Sequence, residues 1–350
     1  MKSASGTGFI TRLSADGRTI VHSSYIGGST SDGIISTAID DQGNAYASGT
    51  SFSKDFPLVQ PIQSSFGGSY DGVLIKVGPD GRLLFSTYWG GPGGETIPYI
   101  ALRKDGMLFA VGTSMGEGFP LKDATFAQAT PRFGWPNATL LAFDTKTNLV
   151  RLSTYLGDSL AAIPYGITLD GDGKIYVTGF VEDKRPALKN PLFSETVDGS
   201  SNGFLICLRP DGKETLWSTV LPAFDGYGVA VDSAGAVHVS GLAHAGVSLK
   251  NSFHEFKGGG ILAGDHGIMK IAPGGNSLVY STVIGGTGNE IGQGTRMAIS
   301  SNGTVFFVGS TGSSDYPVRA AYQADYGGGY DGVFGRITDN TVIQPPPFQV

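Results

Sequence analysis

The chain repeats itself, and that constrains it more than any single motif. HSSYIGG (22–28) returns as FSTYWGG (85–91), LSTYLGD (152–158), WSTVLP (217–222) and YSTVIGG (280–286). The matched residues Ser24, Thr87, Thr154, Thr219 and Thr282 are 63, 67, 65 and 63 positions apart. A second segment follows each of them: NAYASGT (44–50), MLFAVGT (107–113), KIYVTGF (174–180), AVHVSGL (236–242) and TVFFVGS (304–310). A third occurs six times, as GFITRL (8–13), GVLIKV (72–77), TLLAFD (139–144), GFLICL (203–208), GIMKI (267–271) and GVFGRI (332–337). These segments are short, alternating and rich in Val, Ile, Phe, Tyr and Thr, which predicts strands. Asp16-Gly17, Asp80-Gly81, Asp105-Gly106, Asp172-Gly173, Asp211-Gly212 and Asn302-Gly303 stand between them, and Asp or Asn before Gly predicts tight hairpins with positive φ. A helical reading fails, because Gly and Pro make up about a fifth of the 350 residues and each interior Gly costs a helix roughly 1 kcal/mol. The 37 aromatic residues are too many for a disordered chain.

With a further strand at 34–40, 97–103, 163–169, 227–232 and 295–300, each unit becomes four strands. Four-stranded units recurring at this spacing predict an all-β chain folded as a β-propeller. A β-solenoid is excluded by its much shorter rungs. Units begin near 8, 72, 139, 203, 267 and 332, the last one partial, within one expected domain spanning residues 1–350. Five or six blades fit this count.

The run STYWGG, an IAVD-type strand, NAYASG, a Ser-x-Asp-Phe-Pro loop and GGxYDG resembles the bacterial SBBP β-propeller repeat. Lys54-Asp55-Phe56-Pro57 with 67–72, and Ser314-Asp315-Tyr316-Pro317 with 327–332, match that pattern best. The third and fourth units are degenerate, with Arg185-Pro186 in one and no proline in the other. The resemblance implies a secreted or cell-surface bacterial protein and carries no shared catalytic residues.

Several functions are disfavoured from composition. A net charge of −6 offers no electrostatic footprint for nucleic acid. No apolar run approaches the ~18 residues of a membrane span, so no membrane insertion is expected. The first residues carry Lys2 but no apolar stretch, and no secretory leader is read in them. Cys207 is alone, so neither an internal disulfide nor a four-cysteine zinc site can form. There is no P-loop or HExxH. Asp170-Gly171-Asp172-Gly173 lacks the Glu of a calcium loop and aligns with the other turns.

Chemistry is expected in the connections of about 20 residues between second and third strands, at 51–71, 114–138, 181–202, 243–266 and 311–331. Asp71, Asn137, Asn202, Asp265 and Asp331 precede the third strands and are read as caps. Four of five histidines fall within the fourth unit. His238 aligns with Tyr46, Phe109, Tyr176 and Phe306, a packing position. His244, His254 and His266, with Asp265, are candidate ligands for a divalent metal. His254 and Glu255 are a candidate acid/base pair, and a solvated polar loop is the competing account. Asp32, Glu95, Asp158, Asp225 and Glu290, about one per unit, would ring a channel mouth and favour a cation or a polyhydroxylated ligand, or else are solvated. Loop aromatics (Phe52, Phe66, Phe133, Trp135, Phe193, Phe253, Phe256, Tyr326) suit sugar stacking or inter-blade packing, with Phe133 and Trp135 the best binding candidates. The leading expectation is a non-catalytic module that presents these loops to a glycan or an extracellular protein. Its alternatives are a secreted hydrolase or lyase using the histidine-rich loop, and an inert spacer.

Overall fold

The computed structural model describes residues 6–127, 135–156, 161–182, 188–198, 200–255, 264–338 and 348–349. The chain forms two compact units, Met1–Ile163 and Pro164–Val350. The first begins with a two-stranded hairpin, β1 (Gly8–Leu13) and β2 (Ile20–Ile26). A meander follows: β3 (Asp32–Ile39), β4 (Ala45–Ser51), β5 (Asp71–Val77) and β6 (Leu83–Trp89). The next comprises β7 (Glu95–Leu102), β8 (Met107–Ser114), β9 (Asn137–Asp144) and β10 (Leu149–Tyr155).

Three meanders follow. They are β11 (Ala162–Leu169), β12 (Ile175–Val181), β13 (Gly203–Leu208) and β14 (Thr215–Leu221); then β15 (Phe224–Val231), β16 (Val237–Ala243), β17 (Asp265–Ile271) and β18 (Leu278–Ile284). The last is β19 (Glu290–Ile299), β20 (Val305–Thr311), β21 (Asp331–Ile337) and the two-residue β22 (Phe348–Gln349). Five four-stranded antiparallel meanders in sequence are the building units of a multibladed β-propeller. The unpaired remainder is the N-terminal hairpin. The partial unit expected at the C-terminal end instead gives up β21 to complete the fifth sheet with β22.

The strand period of two explains the core. Val73, Ile75 and Val77 of β5 face one cluster with Ile26, Ala47, Phe56 and Tyr88. Leu74, between them, faces another with Ile97, Leu108, Leu141 and Phe143. The inner strands are thus buried on both faces, and each fully buried Val, Ile or Leu contributes about 1.5–3 kcal/mol. In the second unit Leu205 and Cys207 of β13 join Phe224, Val237, Val239 and Met269 in the same way.

The Asp-Gly turns depart from the expected two-residue hairpin. Only the glycine is left-handed (φ 70° at Gly17 and 94° at Gly106), and its N–H bonds back to Ser14 and Arg103 respectively. A type I turn followed by one left-handed residue is the longer hairpin connection, and it shifts the register at Arg12/Leu13. The acid accepts rather than turns: Asp170 Oδ1 takes the N–H of Asp172 and of Lys174 (both 2.9 Å), which makes this stretch a turn.

Candidate functional site

The two best-matching long connections, 51–72 and 311–332, align residue for residue yet are packed differently. In the first, Tyr88 of β6 lies beneath the loop. Its hydroxyl donates to Ser53 O (2.5 Å) and accepts from Phe56 N (3.0 Å). Thr87 Oγ1 accepts from the N–H of Ile62 (3.2 Å) and Gln63 (2.9 Å), and Phe66 meets the Tyr88 ring edge-on at 5.6 Å. Phe52 packs on Tyr70 at 5.0 Å. Gln63 is used at both ends, taking Gly90 N on Oε1 and giving Nε2 to Asp71.

The second connection keeps the anchor of the first. Asp315 Oδ1 accepts from Thr287 N (2.7 Å), just as Asp55 Oδ1 accepts from Ser29 N (2.7 Å). Tyr316 takes the place of Phe56 and is buried, its hydroxyl 3.0 Å from His266 Nδ1. Beyond Pro317 the two diverge. β22 pairs only with Arg336 and Ile337, so among the described residues no fourth-strand residue faces Val333 or Phe334, the positions that Tyr88 and Thr87 cover in the first sheet. A cavity of about 150 Å³ opens there, lined by Ser313, Gln323, Asp325, Tyr326, Asp331 and Val333 among others. That is below the ~300 Å³ of a drug-sized pocket and suits one ring or one short polar group. Gly312 stands where Phe52 does, which leaves Tyr330 exposed; Tyr322 is fully exposed. Carboxylates, an amide and exposed tyrosine faces meet in one loop.

The expected acidic ring is corrected by burial. Asp32, Glu95, Asp225 and Glu290 sit at the starts of first strands, all nearly inaccessible, and brace loops from inside. Asp32 accepts from Gly28 N, Ser51 Oγ and Ser53 Oγ, and Glu95 from Gly91 N and Ser114 Oγ. Glu290 accepts from Thr311 Oγ1 (2.8 Å) and Ser313 Oγ (2.6 Å). Asp225 holds Ser201 Oγ (2.6 Å) and His244 Nε2 (3.0 Å). A carboxylate shut away from solvent and bonded to loop donors is not offered to a ligand at the surface. Asp158 lies outside the described residues.

Burial also moves protons. A methyl on Gly90 would lie 2.5 Å from Asp71 Oδ1 and 3.0 Å from Glu95 Oε2, so these two carboxylates converge beneath one glycine. Desolvation, with Glu95 adding repulsion, lifts Asp71 to about 6. Desolvation and the neighbouring Asp265 lift Glu290 to about 7.

The histidine-rich loop does not converge. Asp265 and His266 are consecutive on β17, and successive strand residues point to opposite faces, so they cannot share one metal. His266 is wholly buried against Phe307 and Tyr316, and burial pushes its imidazole down to about 4. His244 is held by Asp225, while His254 Nδ1 bonds the backbone oxygen of Glu255 (3.0 Å) rather than its carboxylate. Among the described residues no three His, Cys, Asp or Glu are grouped to hold a metal ion. Trp135 is half-buried just before β9, and Phe133 and Phe256 lie outside the described residues. Cys207 is buried and its thiol raised to about 11, an inert packing group.

Among the lining and flanking residues, Tyr326 belongs to the expected loop aromatics and Asp331 to the expected caps. Gln323, Asp325, Tyr322 and Tyr330 escaped the sequence reading. The signal was present in the replacement of Phe52, Ser65 and Phe66 by Gly312, Asp325 and Tyr326 between the two best copies.

A family model described as a beta-propeller repeat, SBBP, matches residues 153–179. No curated protein matches the chain. Among solved structures, a Dyadobacter fermentans protein of unknown function is similar with a TM-score of 0.52 at 12% identity, over 93% of this chain and 84% of that one. The β-propeller domain of the Trilobed protease from Pyrococcus furiosus is similar at 0.43 and 8% identity, over 88% of this chain and 69% of that one. At such identities the likeness is one of fold, and the fold is of propeller type. No helix among the described residues is long and apolar enough to cross a membrane.

Proposed function

We propose that this chain is a non-catalytic binding module of the SBBP repeat type, acting at the cell surface or outside the cell, and that its 312–330 connection takes a sugar ring of a glycan. The observation that carries this reading is the open polar cavity at Gln323, Asp325 and Asp331, in a connection that also carries the exposed rings of Tyr322 and Tyr330, where the matching loop of the first sheet is packed under Tyr88. Carboxylates and amides accept and donate to sugar hydroxyls, and an exposed aromatic face covers the apolar side of the ring.

A glycan array on the purified chain, followed by titration calorimetry of the best hit, tests this. Asp325→Ala and Tyr330→Ala are each expected to weaken binding about tenfold, the loss of one hydrogen-bonding or stacking partner, while leaving the melting temperature in place. Binding that survives both substitutions, or an array on which only proteins are captured, would sink the glycan reading.

A further inference from the structure

The junction between the first two meanders holds a pair of acids that the 312–330 cavity does not use. Asp71 opens β5 and Glu95 opens β7, and both are wholly inaccessible. Their carboxyl groups meet beneath Gly90, where a methyl would touch Asp71 Oδ1 at 2.5 Å and Glu95 Oε2 at 3.0 Å. Three of the four oxygens are satisfied. Asp71 Oδ2 accepts from Gly67 N (2.8 Å) and Gln63 Nε2 (3.2 Å). Glu95 Oε2 accepts from Gly91 N (2.8 Å), and Oε1 from Ser114 Oγ (3.1 Å). Asp71 Oδ1 takes no hydrogen bond. A buried polar atom left in that state costs about 1–3 kcal/mol, and more when it is charged.

No cation compensates the pair: among the described residues neither acid is stabilised by a Lys, Arg or His. The titratable neighbours are Tyr70, Tyr88 and Tyr155, all raised chiefly by burial, with Asp32 and Asp55 acting on Tyr88 and Glu117 on Tyr155. Two buried carboxylates that converge in such surroundings resist ionising together. The second unit shows what suits the unpaired oxygen. Asn202 opens its strand near the place that Asp71 has on β5, and its Oδ1 accepts from Val197 N (2.9 Å) as Asp71 Oδ2 accepts from Gly67 N. Its Nδ2 donates to Val197 O (3.1 Å) and Ser200 O (2.8 Å). Where Asp71 has a bare oxygen, Asn202 has a donor. A protonated carboxyl has the shape of an amide and carries one donor on the same side.

We infer that Asp71 and Glu95 form a proton-operated latch: in mildly acidic solution Asp71 holds a proton on Oδ1 and donates it to Glu95 Oε2, tying the end of the 51–71 connection to the start of β7. Loss of that proton in mildly alkaline solution sets two like charges against each other and loosens both segments. The direction agrees with burial, and after it the charge of Glu95, lifting Asp71 to about 6 against the Gly67 hydrogen bond. A carboxyl raised on folding stabilises the folded state in full below its unfolded value, near 3.8, and that contribution is lost as pH rises through about 6. The latch does not rest on the glycan reading, and either can fail alone.

Hydrogen exchange on the whole chain tests it, read by NMR at the Gly67 and Gly91 amides between about pH 5 and 8 and corrected for the intrinsic pH dependence of exchange. Protection of both amides is expected to fall about tenfold across that range. Asp71→Asn puts an amide donor there at every pH, as the aligned Asn137 and Asn202 do, so this variant should fold and keep at pH 8 the protection seen at pH 5. Protection in the unaltered chain that does not change with pH, or an Asp71→Asn chain that keeps the unaltered slope, would overturn the latch. Calcium or magnesium that restored protection at pH 8 in the unaltered chain but not in Asp71→Asn would overturn it too, since the bridge would then be a cation and not a proton.

Discussion

Residues 51–72 and 311–332 share their glycines, their Asp-aromatic-Pro anchor and their closing Asp-Gly, yet one is a sealed plug and the other an open cup. The loops differ at telling positions, with Gly312, Asp325 and Tyr326 where the first has Phe52, Ser65 and Phe66. The described neighbours differ too: Thr87 and Tyr88 of β6 cover the first loop, whereas the described residues of β22 pair with Arg336 and Ile337. A loop's chemistry is set by which of its polar groups are already used. Gln63 and Gln323 both donate to the carbonyl two residues on, but Gln63 is held by Gly90 N and Asp71 as well.

The comparison breaks first at Tyr88. Tyr88→Ala removes a buried ring and two hydrogen bonds, so a loss of about 3–5 kcal/mol is expected in denaturant unfolding of the first unit. Tyr326→Ala, at the aligned place of Phe66, removes a half-buried ring bonded only to Gly329 O and should cost no more than about 1 kcal/mol. Similar losses for the two would mean that the second loop is as tightly plugged as the first.

The next largest effect is protonic. Asp32 and Glu290 occupy the same place in their sheets. Asp32 is met by three donors; Glu290 is met by two hydroxyls and the Gly286 N–H, but burial and then the charge of Asp265 raise it to about 7. A carboxyl whose folded value lies above its unfolded one binds its proton more tightly in the folded state. Stability therefore rises as pH falls from about 7 towards about 5, and the contribution is complete below the unfolded value near 4.5. For Glu290 it amounts to on the order of 2–3 kcal/mol at most, with Asp71 adding in the same direction. Melting curves between pH 5 and 8 should show that slope, and Glu290→Gln should flatten it (about half a dozen points suffice). A variant that keeps the full slope would show that Glu290 is ionised throughout.

Strands, turns and the repeat were legible because they depend on local period and on Asp-Gly chemistry. So was the place of His238, whose Nε2 bonds Asp232 as the Tyr46 and Tyr176 hydroxyls bond Asp40 and Asp170. The carboxylates were legible as a series but not as buried braces. Solvent-facing and loop-bracing acids look alike in sequence, and only the Ser or Thr two positions beyond the second strand, such as Ser53 and Ser313, separates them. The histidine cluster failed for another reason: nearness along a chain says nothing of direction, and the alternation of a strand sends Asp265 and His266 apart.

The smallest change sharpens the comparison most. Gly312→Phe gives the second loop the ring that Phe52 supplies in the first. Gly312 N bonds Asn289 O as Phe52 N bonds Ser31 O, so the backbone path is shared. The added Cβ would lie 3.1 Å from both Asn289 O and a carbon of the Tyr330 ring, a tight fit relieved by a few tenths of an ångström of movement, and the new ring would pack toward Tyr330 as Phe52 packs on Tyr70. Stability should therefore change by less than about 1 kcal/mol, while the Tyr330 face is covered. Were glycan binding to need that face, it should fall about tenfold in this variant, with the cavity residues Gln323 and Asp325 untouched. Unchanged affinity would move the ligand's contact away from Tyr330 and onto the cavity alone.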